Sequence, residues 1–124
     1  MIASDTSSLS AYFRGEAGAD IEAIAGALSA GGIVLPPVVQ TELLSDPSAA
    51  KEMAETVSNF PLLPIVEGYW QRAGEARRLL RRKGHKAKVA DALIAQSCID
   101  HNVALITRDA DFRHFAKHCG LKLA

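Results

Sequence analysis

The sequence predicts an α/β domain with a largely parallel sheet. Two observations carry this. Short apolar runs, such as Ile33-Val34-Leu35 and Val103-Ala104-Leu105-Ile106-Thr107, alternate with longer segments whose apolar residues recur every three or four positions. Glycine and proline stand between the two kinds of segment. Strand–helix alternation of this kind builds parallel sheets covered by helices.

The elements follow in order. Ile2-Ala3 reads as a first strand ending at Asp5, and Ser4 to Ser8 offers several N-caps for a helix carrying Leu9, Tyr12 and Phe13. Ile21, Ile24, Ala25 and Leu28 mark a second helix, stopped by Gly31-Gly32. Ile33 to Leu35 is a buried-type strand, and Pro37 suits the first position of the next helix. Asp46-Pro47-Ser48 breaks the chain before a helix over 49–59, and Leu62-Leu63 with Ile65 reads as extended. A long helix spans 67–83, with Tyr69, Trp70, Ala73, Ala76 and Leu80 on its inward side. Gly84 stops it. The helix over 89–101 turns Val89, Ala90, Leu93, Ile94 and Ser97 or Cys98 inward. Val103 to Thr107 is the clearest strand, the last helix spans 109–118, and Leu121 to Leu123 fits an edge strand. One domain over residues 1–124 is expected, without linker or repeat.

Composition narrows the class. Apolar residues make up 48% of 124, too many for a disordered tail. No run approaches the roughly 20 apolar residues of a membrane helix, and the N-terminus has no secretory pattern. Two cysteines, Cys98 and Cys119, do not make a disulfide scaffold. A reduced, cytoplasmic protein is expected.

The net charge is zero, 14 bases against 14 acids, but the halves differ. Residues 1–67 carry nine acids and two bases; residues 68–124 carry twelve bases and five acids. Arg72, Arg77, Arg78, Arg81, Arg82, Lys83, Lys86 and Lys88 face a single acid, Glu75, between them. Local charge steers a ligand more than the sum does. This stretch reads either as a solvated helix face or as a surface for nucleic-acid phosphates, with Lys86 and Lys88 the contacts nearest the acidic residues, and the arginines open to an acidic partner.

Those acidic residues fall at separate stations of one fold edge. Ligands of parallel sheets bind beyond the C-terminal strand ends. Asp5 ends the first strand, Asp109 follows the strand over 103–107, Glu42 lies about a turn into the helix after Ile33–Leu35, and Asp91 lies in the first turn of its helix. Any one alone reads as a helix cap or a surface residue. Together they need either protonation of some carboxylates or a cation among them, because two like charges about 4 Å apart repel by roughly 4 kcal/mol at an effective dielectric of 20. Oxygen ligands suit Mg²⁺ or Mn²⁺, and such an ion suits phosphodiester chemistry. His114 and His118 have metal-ligand spacing beside Cys119 but no second ligand cluster, so zinc is not expected there.

Asp5-Thr6-Ser7, Glu42-Leu43-Leu44, Ala90-Asp91-Ala92-Leu93-Ile94-Ala95 and Thr107-Arg108-Asp109-Ala110-Asp111-Phe112 occur in this order along the chain. The sequence resembles the PIN-domain nucleases, most closely the VapC toxins of bacterial type II toxin–antitoxin systems. The resemblance spans the whole chain and is most specific from Gly84 to Phe112. It implies a three-layer α/β/α sandwich and Mg²⁺- or Mn²⁺-dependent endoribonuclease activity leaving 5′-phosphate and 3′-hydroxyl ends. It assigns Asp5, Glu42, Asp91 and Asp109 as the catalytic, metal-binding quartet, Asp111 as a further metal ligand, and Thr107 and Thr6 as supporting hydrogen-bonding residues. It implies a small antitoxin partner and a homodimer. Alternatives are a PIN nuclease of general RNA processing and a non-catalytic binding module; the complete quartet argues against the second. A haloacid-dehalogenase-like phosphatase needs Asp-x-Asp after the first strand, where position 7 is Ser.

Overall fold

The computed structural model describes all 124 residues. Three strands, β1 (Ile2–Ser4), β2 (Ile33–Val34) and β3 (Leu105–Ile106), form a parallel sheet in the order β2-β1-β3. Ile2 pairs with Ile33 and Ala3 with Val34 on one side; Ala3 pairs with Leu105 and Ser4 with Ile106 on the other. Single parallel bridges extend the sheet at both edges, Leu35 to Leu62 and Leu105 to Leu123. β1 is therefore central, and β1 and β3 end side by side.

Seven helices cover this sheet: α1 (Thr6–Phe13), α2 (Ala19–Ser29), α3 (Pro37–Leu44), α4 (Lys51–Asn59), α5 (Tyr69–Arg82), α6 (Val89–His101) and α7 (Phe112–Cys119). The architecture is the expected α/β/α sandwich. α1 packs on α2 and α3, while α5, α6 and α7 pack on one another. A contiguous core of 21 buried residues joins the layers, with Leu9, Ile24, Leu35, Leu43, Leu80, Ile94, Leu105, Phe112 and Phe115 among its largest members. No helix is long and apolar enough to cross a membrane.

Several expected boundaries shift, each for a local reason. The strand over 103–107 shrinks to two residues because Asn102 caps α6 in the left-handed conformation and Val103 N–H bonds back to Cys98 O. A donor used by a helix end is not free for a ladder. The last helix starts at Phe112 rather than 109 because Asp109 closes a turn, its Oδ1 accepting from Asp111 N–H at 2.9 Å. The expected edge strand at 121–123 is only the Leu123 bridge. Two residues expected inside lie outside: Trp70 is 62% and Val89 56% exposed. Tyr69 takes the inward place on α5, its hydroxyl donating to Leu93 O at 2.7 Å.

Arg72 locks α5 to α6. Its Nε and Nη2 donate to the two Asp100 oxygens at 3.0 and 2.7 Å, and Gln96 donates to the same carboxylate. Its third arm reaches Glu67 O past Gly68, where a Cβ would collide with the guanidinium and φ is +83°. Only glycine fits that position.

Candidate acidic site

The neighbouring ends of β1 and β3 deliver the first two acidic residues. Asp5 is 2% exposed. It caps α1, with Oδ1 accepting from Ser8 N–H at 3.0 Å. Its Oδ2 accepts from Ser7 Oγ at 2.7 Å and Thr107 Oγ1 at 2.6 Å. Thr107 Oγ1 in turn accepts from Asp109 N–H at 3.0 Å. One threonine thus ties the end of β1 to the loop after β3. Burial, with a smaller push from Asp109, raises the Asp5 pKa despite these three donors.

Asp91, in the first turn of α6, meets Asp109 and Asp111. One carboxylate oxygen from each of the three lies within 4.8 Å of the others. Asp91 Oδ2 is buried and has no hydrogen-bond partner. Burial raises the Asp91 pKa to about 6, Asp109, Asp111 and Glu42 add to the rise, and Lys88 opposes it. Glu42, on α3, is exposed and accepts from Thr6 Oγ1 at 2.6 Å.

The structure thus brings Asp91, Asp109 and Asp111 into one cluster, sets Asp5 beside Asp109 with both oxygens hydrogen-bonded, and holds Glu42 toward Asp91 through Thr6. Thr107 and Thr6 each bond a predicted acid. A buried oxygen without a donor, in a group whose ionised form is penalised, is relieved either by protonation or by a cation. An all-carboxylate donor set fits a hard divalent cation, which Asp91, Asp109 and Asp111 would hold. Of the two lysines, Lys88 caps α6 and bears on Asp91; Lys86 is exposed in the preceding loop.

Sequence reasoning missed Ser7 and Ser8 as partners of Asp5, and it missed Arg108. Arg108 donates to both Asp20 oxygens at 2.7 and 3.1 Å and to Glu16 at 3.0 Å. Ser8 Oγ also donates to Asp20, at 2.8 Å. The guanidinium pulls the Asp20 carboxyl down to about 2. The loop after β3 is therefore clamped to α2 on one side and to Asp5 on the other. The signal was in the alternation of extended backbone: a residue between two that face one way faces the opposite way.

Elsewhere, His85 stacks on His114 with ring centroids 4.0 Å apart, and His118 lies 5.4 Å from His85. Parallel rings at this separation pack face to face, and the three do not converge as ligands.

Comparison with known proteins places this arrangement. The family described as PIN domain matches residues 2–118. The fold matches that of VapBC2 from Rickettsia felis bound to a DNA fragment from their promoter, at 20% identity and a TM-score of 0.68, covering 100% of this chain and 98% of that one. It matches VapBC-5 from Mycobacterium tuberculosis, of the VapBC family of toxin–antitoxin systems, at 18% identity and 0.70, covering 98% and 95%. FitAcB from Neisseria gonorrhoeae follows at 15% identity and 0.65, covering 99% and 96%. No curated protein sequence matches the chain significantly.

Proposed function

The chain belongs to the PIN-domain family, and from that premise we propose that it is a divalent-metal-dependent endoribonuclease acting as the toxin of a toxin–antitoxin pair. The observation that carries the proposal is the orphaned, buried Asp91 oxygen in a cluster with Asp109 and Asp111. Mg²⁺ or Mn²⁺ bound there would offset charge on a phosphoryl oxygen and favour hydrolysis.

The protein's own groups divide the remaining work. Asp91, Asp109 and Asp111 bind the cation. Asp5, fixed by Ser7, Ser8 and Thr107, is rigidly placed to orient water or substrate beside Asp109. Glu42, hydrogen-bonded through Thr6 and exposed, is free to accept a proton at the rim. Lys88 and Lys86 offer phosphate contacts beside the acids. A small antitoxin is the proposed partner, in keeping with the toxin–antitoxin systems whose fold the chain shares, and a homodimer is the proposed assembly.

The test is cleavage of RNA by purified protein with and without Mg²⁺ or Mn²⁺. Discrete cleavage with added metal, absent in EDTA and absent in Asp109→Asn, is the expected result. Cleavage that survives both would point to a contaminant and overturn the proposal. Replacing Lys86 and Lys88 together with alanine is expected to weaken RNA binding and to flatten its salt dependence by about 1.4 in log–log slope, at roughly 0.7 per phosphate contact. An unchanged slope would remove both lysines from the interface.

A further inference from the structure

α5 turns an unusual face outward. Trp70 stands 62% exposed at its start. Arg77, Arg78, Arg81 and Arg82 follow at seven, eight, eleven and twelve positions on, which is one side of a helix. With the start of α6 this face forms a groove of about 650 Å³. Trp70, Ala73, Val89 and Leu93 supply its apolar part, and the four guanidinium groups line the rest.

These arginines are not neutralised. The ion pairs of the molecule engage Arg14, Arg72 and Arg108. None of the four groove arginines is in an ion pair, and only Arg77 is anchored, its Nε donating to Ala87 O at 2.8 Å. Four free cations on one face point to a polyanion. They also disfavour a symmetric contact with a second copy, which would set the same charges against each other.

Two features favour nucleic acid over an acidic protein segment. A base has a flat face to lay on an exposed indole, and stacking on an aromatic beside a cationic track is how single strands are held without sequence readout. Arg77/Arg78 and Arg81/Arg82 form two tiers about 6 Å apart along the axis, matching successive phosphates of a strand.

We infer that the α5–α6 groove is a binding track for single-stranded RNA, with a base stacked on Trp70 and phosphates on Arg77, Arg78, Arg81 and Arg82. This deepens the proposed function and rests on it only for the fate of the bound strand.

Trp70 is the only tryptophan, so its fluorescence reports the groove alone. The experiment titrates the full chain, in EDTA to prevent cleavage, with single-stranded oligoribonucleotides of about eight nucleotides, within the site sizes usual for such grooves. Saturable quenching is expected, weakening steeply with salt. Arg77→Ala with Arg81→Ala is expected to reduce the log–log salt slope by about 1.4. Trp70→Ala, followed by the anisotropy of labelled RNA, is expected to weaken binding about 5- to 160-fold, the range a stacked base supplies. Melting by circular dichroism confirms that these surface variants stay folded. RNA binding without quenching, an unchanged salt slope, or equal quenching by poly-glutamate would overturn the inference; the last would assign the groove to an acidic protein. Because binding is read in EDTA, metal-dependent cleavage with no groove binding would sink this inference and leave the nuclease standing, and groove binding without cleavage would do the reverse.

Discussion

Asp91→Asn is expected to abolish RNA cleavage and, at the same time, to make the metal-free protein more heat-stable at neutral pH. The two effects share one cause. Burial raises the Asp91 pKa to about 6 and three neighbouring acids add to the rise. The unfolded chain holds the same carboxyl near its ordinary value, about 3.9. Between pH 4 and 6 the folded state therefore binds the extra proton, and stability falls as pH rises through that window. Above pH 6 the folded protein carries the full penalty of an ionised, poorly solvated carboxylate. Asparagine removes it while keeping the shape. Part of the side chain faces water, which weakens the effect. A rise of roughly 3–6 °C is expected at pH 7.5, the shift that about 1 kcal/mol produces in a domain of this size. At pH 4 the wild type is already protonated and the difference should vanish. Mg²⁺ or Mn²⁺ should raise the melting temperature of the wild type and do much less for the variant. Calorimetry at the two pH values, with and without metal, checks each arm; a variant that melts lower than wild type at pH 7.5 refutes the strained-cluster account.

Asp5→Ala is expected to fail in the opposite way, losing stability together with activity. It removes the N-cap of α1 and strips Ser7 and Thr107 of their acceptor. The expected cost is about 1–3 kcal/mol, from a lost cap and partly buried hydroxyls left without their acceptor. The raised pKa of Asp5 limits that cost, because alanine also relieves a buried charge. Asp5→Asn separates the two roles. Its carbonyl oxygen can still accept from Ser8 N–H, and its amide can donate to the Thr107 hydroxyl, so it should fold like wild type and remain inactive. Denaturant melts of the three proteins give the stability and RNA cleavage gives the activity. Equal midpoints for alanine and wild type would mean that Asp5 does not organise the turn between β1 and α1.

The acidic site was legible in the sequence because it depends on chain order. Asp5 and Asp109 end two strands, and strands ending at one edge of a parallel sheet deliver their next residues to one place. The apolar period likewise located α6 to the residue. What the pattern did not carry was which face of a helix meets which neighbour. Tyr69 and Trp70 are adjacent and both large; Tyr69 is in helical phase with buried Ala73 and Leu80, and its hydroxyl finds a carbonyl of α6, so it is the one that goes in. Val89 stands at the first position of α6, on the rim of the open groove it shares with α5, so its apolar character did not imply burial. The strand over 103–107 was overestimated because the turn at Asn102 takes the donor of Val103. Arg108 went unread because its partners, Glu16 and Asp20, come from the other end of the chain.

The central place of β1 has a consequence in time. Thr107 and Asp5 are 102 residues apart, and β1 has its second neighbour only when β3 has been made. Until residues 105–111 have been added, the first strand has one open side, Asp5 lacks Thr107, and Asp91 waits without Asp109 and Asp111. A chain that folds as it emerges therefore assembles its acidic site only after its third strand. Under the proposed activity it stays harmless to the RNA that encodes it until β3 and the loop after it have emerged, and a product truncated before β3 would be inert rather than dangerous.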